Sequence, residues 1–164
     1  MAGREVTVRV DIAAPPHLVW PLITDVMLLP RFSTELQDVV WAPGSDGPVL
    51  GARFIGRNSN PAVGEWTTTS QIVEFDPPRT FGWTVGDPES AAATWQFTLS
   101  ESPAGSRLSY RARLGPGPSG VTMLIGRHPE RAEEIIASRL AQFRANMMAT
   151  LAGIRDIAEG GSGG

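Results

Sequence analysis

The chain has 164 residues, 41% of them hydrophobic, with 14 basic and 17 acidic side chains and a net charge of −3. These totals suit one domain that buries about two-thirds of its unfolded surface, and the mixed, weak charge argues against nucleic acid as a partner. The absence of cysteine excludes disulfides, thiolate nucleophiles and Cys-based metal sites, and fits a reducing cytoplasm.

No segment reads as membrane-spanning. The longest apolar run, 19–30, holds two prolines and Asp25 and is too short for a bilayer. The first residues lack the basic-then-apolar order of a secretion leader. The closing Gly160-Gly161-Ser162-Gly163-Gly164 reads as a flexible linker, which leaves residues 1–159 as a single domain.

In chain order, Val6, Val8, Val10 and Ile12 alternate with Thr7, Arg9 and Asp11, the pattern of a strand with one buried face. A turn at Ala13 to Pro16 opens a short helix through Trp20 to Asp25, and after Pro30 the segment Arg31–Leu36 is expected to form a second short helical piece. From Gln37 onward, strands are separated by glycine and proline: Val39–Trp41, Gly51–Asn58, Glu65–Phe75, Thr80–Val85, Ala93–Leu99 and Arg107–Leu114. In the last three, Phe81, Trp83 and Val85, then Trp95, Phe97 and Leu99, then Leu108, Tyr110, Ala112 and Leu114 share a side. Short turns make these antiparallel neighbours with one apolar face. The phase of Glu65–Phe75 is open. One parity buries Trp66, Thr68, Ser70 and Ile72, the other Glu65, Thr67, Thr69, Gln71, Val73 and Phe75, and a bulge could switch between them; the first is favoured opposite Asn58.

The loop GPGPSG at 115–120 is expected to carry the chain to one long helix, Pro129–Glu159. Ile136, Leu140, Phe143, Met147, Leu151, Ile154 and Ala158 form its apolar stripe. Pro129 suits the first helical position, Glu130, Glu133 and Glu134 favour the positive end of the dipole, and glycines follow Glu159 as a stop. A seven-stranded antiparallel sheet with one apolar face and a helix with one apolar stripe bury each other. The result is an α+β architecture in which a twisted sheet curls around the helix, two short helices close an end, and any gap between the layers is an internal cavity.

This order of elements resembles the START-like, or helix-grip (SRPBCC), superfamily over about residues 4–158. The stretches IAAPPHLVWPLITDV, EFDPPRTFGWTV, TWQFTL and SRLSYRARL are similar to its polyketide cyclase/dehydrase branch. The resemblance implies a helix-grip fold with a hydrophobic cavity between sheet and long helix that takes an apolar or aromatic small molecule. In members that catalyse, it implies aldol cyclisation, dehydration or related proton transfer, steered by polar side chains on the inner wall. No cofactor is expected. Two histidines without cysteine make a poor metal set, GPGPSGVT lacks the lysine and spacing of a phosphate loop, and no G-x-S-x-G elbow anchors a hydrolase triad.

Parity selects the candidate site. Asn58 shares the phase of Phe54 and Gly56, which aims its amide inward, where a polar group needs partners; a strand-end Asn turning into the Asn58–Pro61 loop is the alternative. Gly56 is expected to leave room for a ligand. Tyr110 points inward on its strand, and its phenol could donate to a carbonyl or enolate oxygen or simply sit satisfied in the core. Glu65 is a candidate general base if its parity is buried and a solvated carboxylate if it is not. Asn58, Tyr110 and Glu65 are thus the candidate catalytic residues. Candidate ligand contacts are Phe54, Asn58, Trp66, Thr68, Trp83, Trp95 and Tyr110 on the strands and Phe143, Met147 and Leu151 on the helix; the tryptophans either pack the core or stack on a planar ligand. Trp20 and Trp41 read as structural. Arg31 and Glu35, near the expected entrance, contact a polar end of the ligand or form an exposed ion pair. His128 overlooks the mouth or, like His17, sits on the surface.

Three functions are consistent with these residues. One is a polyketide-cyclase-like enzyme of secondary metabolism that holds a reactive chain in a folded pose while one or two polar groups shuttle protons. The others are a non-catalytic carrier of an apolar molecule or lipid, and a protein-binding regulatory domain. No motif encodes the ligand's identity or an oligomeric state.

Overall fold

The alternating segments form strands in a computed structural model that describes residues 4–160; the remainder of the expected glycine/serine tail lies outside the described residues. The strands are β1 (Glu5–Ile12), β2 (Leu36–Trp41), β3 (Arg53–Asn60), β4 (Gly64–Asp76), β5 (Thr80–Val85), β6 (Ala93–Ser102) and β7 (Gly105–Leu114). They make one antiparallel 7-stranded sheet in the order β1-β7-β6-β5-β4-β3-β2. From β2 to β7 the chain meanders back across the sheet to pair with β1. To reach the far edge first, it uses α1 (Pro16–Ile23) and a 3-10 helix, Val26–Phe32.

That second helical piece lies earlier than the expected Arg31–Leu36. Asp25 Oδ1 accepts from the Met27 N–H at 3.1 Å and starts it. Just beyond, the Ser33 hydroxyl oxygen accepts from the N–H groups of Glu35 (3.1 Å) and Leu36 (2.9 Å), which turns residues 33–36 out of the helix and into β2.

In β4, both phases are used. Thr68 is half-buried and Ser70 and Ile72 are buried, with Trp66 half-buried on the same side. The pairing with β5 then slips: Ile72 faces Trp83 but Glu74 faces Gly82, so Val73 is the extra residue of a bulge. The bulge brings Phe75 to the core face, where its ring meets Trp20 at 5.8 Å and Phe81 at 6.2 Å edge-on.

Between β7 and the long helix lies a helix absent from the expected elements, α2 (Gly120–Arg127). Ser119 and Thr122 cap it reciprocally, the Ser119 hydroxyl oxygen accepting from Thr122 N–H at 3.2 Å and Thr122 Oγ1 accepting from Ser119 N–H at 2.8 Å. Its glycine at each end masks it in a glycine-rich stretch. After a 3-10 turn at Pro129–Arg131, α3 (Ala132–Ala158) runs about 40 Å at 1.5 Å per residue. Ile136, Phe143, Met147, Leu151 and Ile154 are buried against the sheet, Leu140 and Ala158 pack beside them, and Thr150 joins the stripe. The core they share with Ile72, Phe81, Phe97, Leu99 and Leu108 is continuous. Among the described residues no helix is long and apolar enough to cross a membrane.

Candidate functional site

The aromatic residues of β5, β6 and β7 face α3 as one cluster. Trp83 stacks on Trp95 (centroids 6.4 Å), Phe97 stacks on Tyr110 (4.0 Å), and Phe143 from α3 meets the Trp95 ring at 4.7 Å. Toward β3 and β4 the inward side chains become small or polar: Gly56, Asn58, Thr68 and Ser70. Aromatic bulk on one side and small side chains on the other leave the helix unsupported between them. An unfilled volume of about 120 Å3 remains there, bounded on α3 by Phe143, Asn146, Met147 and Thr150.

Eight of the expected contact residues line this space: Phe54, Asn58, Thr68, Trp83, Trp95, Tyr110, Phe143 and Met147. The other two do not. Leu151 is buried but one turn farther along α3, inside packed core, and Trp66 is half-buried beside Asn58 at the hairpin end of β4. Glu65 also lies off the wall. It follows the outward parity of β4, its side chain is 73% exposed, and it faces Arg57 at 3.8 Å, so its carboxylate has no route to the cavity. Gly56 is on the wall, but the room over it is taken by Leu36, whose Cδ1 would stand 2.9 Å from a Cβ there. His17 and His128 are exposed.

Two wall groups have hydrogen-bonding capacity to spare. Asn58, 7% exposed, donates through Nδ2 only at long range, to Gly56 O at 3.5 Å and Thr68 Oγ1 at 3.4 Å, and among the described residues its Oδ1 accepts no hydrogen bond. Tyr110, 4% exposed, makes no side-chain hydrogen bond among them either. Burial holds its phenol far above the ordinary tyrosine range, so the hydroxyl stays protonated and acts as a donor. The Ser70 hydroxyl is buried beside them on β4. A ligand oxygen reaching any of these gains a bond that the empty site lacks.

The charged part of the wall was missed by spacing alone. Glu35, expected beside Arg31, instead forms a two-pronged pair with Arg139 on α3, Nη1 to Oε1 and Nη2 to Oε2 both at 2.7 Å. Asn60 Nδ2 adds a bond to Oε1 at 3.2 Å. The two side chains are 17% and 19% exposed, whereas every other ion pair among the described residues joins side chains at least 42% exposed. The Arg139 guanidinium also lies over the Phe143 ring at 4.6 Å. The only sequence signal for Arg139 was its place one turn before Phe143 on the helix; its partner is 104 residues away. Among the described residues no group of three or more His, Asp or Glu side chains is placed to hold a metal ion.

A family model described as polyketide cyclase / dehydrase and lipid transport matches residues 3–148. No curated protein matches the chain in sequence. Among solved structures, the chain is similar to the polyketide-cyc-like protein Cgl2372 from Corynebacterium glutamicum, at 27% identity over 94% of this chain and 91% of that one, with a TM-score of 0.66. It is also similar in fold to two di-domain ARO/CYC proteins. With StfQ from the steffimycin biosynthetic pathway the identity is 16%, the coverage 96% of this chain and 51% of that one, and the TM-score 0.71. With BexL from the BE-7585A biosynthetic pathway the corresponding values are 20%, 94%, 50% and 0.67. The chain therefore spans about half of each di-domain protein.

Proposed function

The chain belongs to the polyketide cyclase / dehydrase and lipid transport family, and on that footing we propose that it binds an apolar or aromatic small molecule in the cytoplasm, in the cavity between sheet and α3. The observation that carries this reading is the pairing of an aromatic wall, Trp83, Trp95 and Phe143, with buried polar groups that have bonding capacity to spare, Asn58 and Tyr110. The rings take the flat face of a ligand, and the two polar groups fix its oxygens.

In the cyclase/dehydrase-like form of the proposal, the phenol of Tyr110 donates to a ligand carbonyl and stabilises the charge that develops on its oxygen as an enol of the same ligand adds to its carbon, the enol's proton passing to that oxygen. Asn58 holds a second oxygen, so the reactive chain is folded before bond formation. A second reading, a non-catalytic carrier, is favoured by the charge on the wall: its one carboxylate, Glu35, is occupied by Arg139 and Asn60, which leaves no unengaged base.

One comparison separates them. Wild type, Asn58→Leu, Tyr110→Phe and Glu65→Gln are measured for affinity toward a neutral N-phenylnaphthylamine dye and for conversion of a poly-β-ketone thioester. Loss of conversion in Asn58→Leu and Tyr110→Phe with dye affinity kept supports the enzyme. Dye binding without conversion in wild type supports the carrier. Wild type that takes neither dye nor thioester overturns both. Glu65→Gln is expected to match wild type throughout.

A further inference from the structure

The cavity as it stands is too small for the occupant it is built for. A volume of about 120 Å3 falls short of small-molecule sites, which run from roughly 300 to 1,000 Å3. Entry therefore requires part of the wall to move. On β5, β6 and β7 the wall is not free to do so: Trp83, Trp95 and Tyr110 are packed ring on ring with one another and with Phe97 behind them.

The more weakly held side is where residues 33–36 cross between the 3-10 helix and β2: Ser59 N–H donates to Glu35 O at 2.9 Å and Leu36 pairs with Asn58, but the ladder is then interrupted by an irregularity before Asp38. This strap contributes Ser33, Glu35 and Leu36 to the wall and is fastened to α3 at two points. Thr34 donates from its N–H (3.1 Å) and hydroxyl (3.2 Å) to Asn146 Oδ1, and Glu35 binds Arg139. Arg139 and Asn146 are two helical turns apart, about 10 Å, and Phe143 projects into the cavity between them. The ring of Phe143 is thus held by Trp95 from the sheet and by the guanidinium of Arg139, which Glu35 in turn holds in place.

We propose that the Glu35–Arg139 pair is the latch of the cavity: while it is closed, the strap and the Phe143 ring narrow the space between sheet and α3, and a ligand passes only when Arg139 leaves Glu35 and Phe143 moves with it. This rests on the ligand-binding reading given above. Bidentate geometry makes the latch directional and well ordered. Its position, cavity on one side and solvent on the other, lets water take over both charges once the strap lifts, so opening leaves neither ion stranded.

A gate differs from a contact in its kinetics: it alters entry and exit together and leaves affinity nearly constant. Stopped-flow binding of the neutral N-phenylnaphthylamine dye is measured on wild type, Glu35→Gln, Arg139→Gln and the charge-exchanged double variant Glu35→Arg/Arg139→Glu. Glu134→Gln, in the exposed pair with Arg131, is the control. In Glu35→Gln and Arg139→Gln, association and dissociation rate constants both rise about tenfold while Kd stays within about threefold. The double variant, which restores the ion pair but not the guanidinium over Phe143, returns both part of the way toward wild type, and the control does not move them. Unchanged rates, or a faster dissociation alone with Kd weakened in step, overturn the latch. Hydrogen–deuterium exchange over 33–41 in the ligand-free protein provides an independent arm. Faster exchange in the single variants that the double variant reverses supports the latch even if no form takes up dye, in which case it is the binding reading that fails. Exchange equal to wild type overturns the latch whatever the dye does.

Discussion

Tyr110 is the chain's one tyrosine, so its ionisation can be followed with no other phenol contributing. In the unfolded chain it titrates near the ordinary value of about 10; in the folded protein burial pushes it far higher. The sign follows from proton counting. Below about pH 10 both states hold the proton and the stability contribution is constant; above it, only the unfolded chain releases the proton, so rising pH favours unfolding by about 1.4 kcal/mol per unit. By about pH 12 the loss reaches roughly 3 kcal/mol, a large share of the 5–15 kcal/mol typical of a domain. The assay is tyrosinate difference absorbance against pH, alongside urea unfolding of wild type and Tyr110→Phe. Tyrosinate absorbance is expected to appear only as tryptophan fluorescence reports unfolding, and the wild-type stability curve to fall away from that of Tyr110→Phe above about pH 10. At neutral pH the two proteins are expected to agree within about 1 kcal/mol, because the hydroxyl has no partner to lose among the described residues. A phenol that titrates near its ordinary value while the fold is intact would refute the reasoning, since it would place the hydroxyl in water instead of on an enclosed wall.

Met147→Trp is expected to abolish dye uptake while the melting temperature stays within a few degrees, because the added ring enters unfilled space instead of packed neighbours; a loss beyond about 3 kcal/mol with dye binding kept would mean overpacked core. Phe143→Ala should lower stability by about 3 kcal/mol in urea unfolding, the low end for a buried phenylalanine because one side of the ring borders the cavity, and a loss above about 5 kcal/mol would contradict that placement. A Cβ at Gly153 would overlap the Phe32 ring, so Gly153→Ala should destabilise by about 1–3 kcal/mol in thermal unfolding despite alanine's better helix propensity, and a more stable variant would show the contact to be dispensable.

Strand phase carried most of the fold. Phe81, Trp83, Trp95, Phe97 and Tyr110 alternate so regularly that one buried face is readable without a partner strand, and Pro129 and the glycines beyond Glu159 mark both ends of the terminal helix region. What escaped has a physical reason in each case. α2 is held by a Ser119–Thr122 capping pair inside a glycine-rich stretch, where local composition argues for a loop. The switch of phase in β4 was open in the sequence as a bulge, but its place at Val73, which brings Phe75 to the core, depends on pairing with β5. Wall residues on strands were legible from parity, but the Glu35–Arg139 pair was not, because neither its separation in sequence nor its burial leaves a periodic trace. Leu151 shows the complementary limit: a stripe says which side of a helix is buried but not where along it the sheet draws away.

The place where the sheet draws away is also where the chain departs from the rules for a packed interior. Inward positions of β5, β6 and β7 hold Phe81, Trp83, Phe97 and Leu108, which fill the space up to α3. At the corresponding positions of β3 and β4 stand Gly56, Asn58, Thr68 and Ser70, side chains too small or too polar to do so. Packing alone would favour leucine or valine at these positions, since each buried polar group without a full partner costs about 1–3 kcal/mol. Such losses are spread thinly through an ordinary core. Here Gly56, Asn58, Thr68 and Ser70 adjoin one another on two neighbouring strands, opposite the aromatic cluster and beneath the least exposed ion pair among the described residues, whereas the two buried hydroxyls without a partner among those residues, Thr84 and Ser102, lie apart on β5 and β6. Stability forgone in one place, and bonding capacity left over in that same place, is the signature expected of a site in which a ligand supplies the missing contacts.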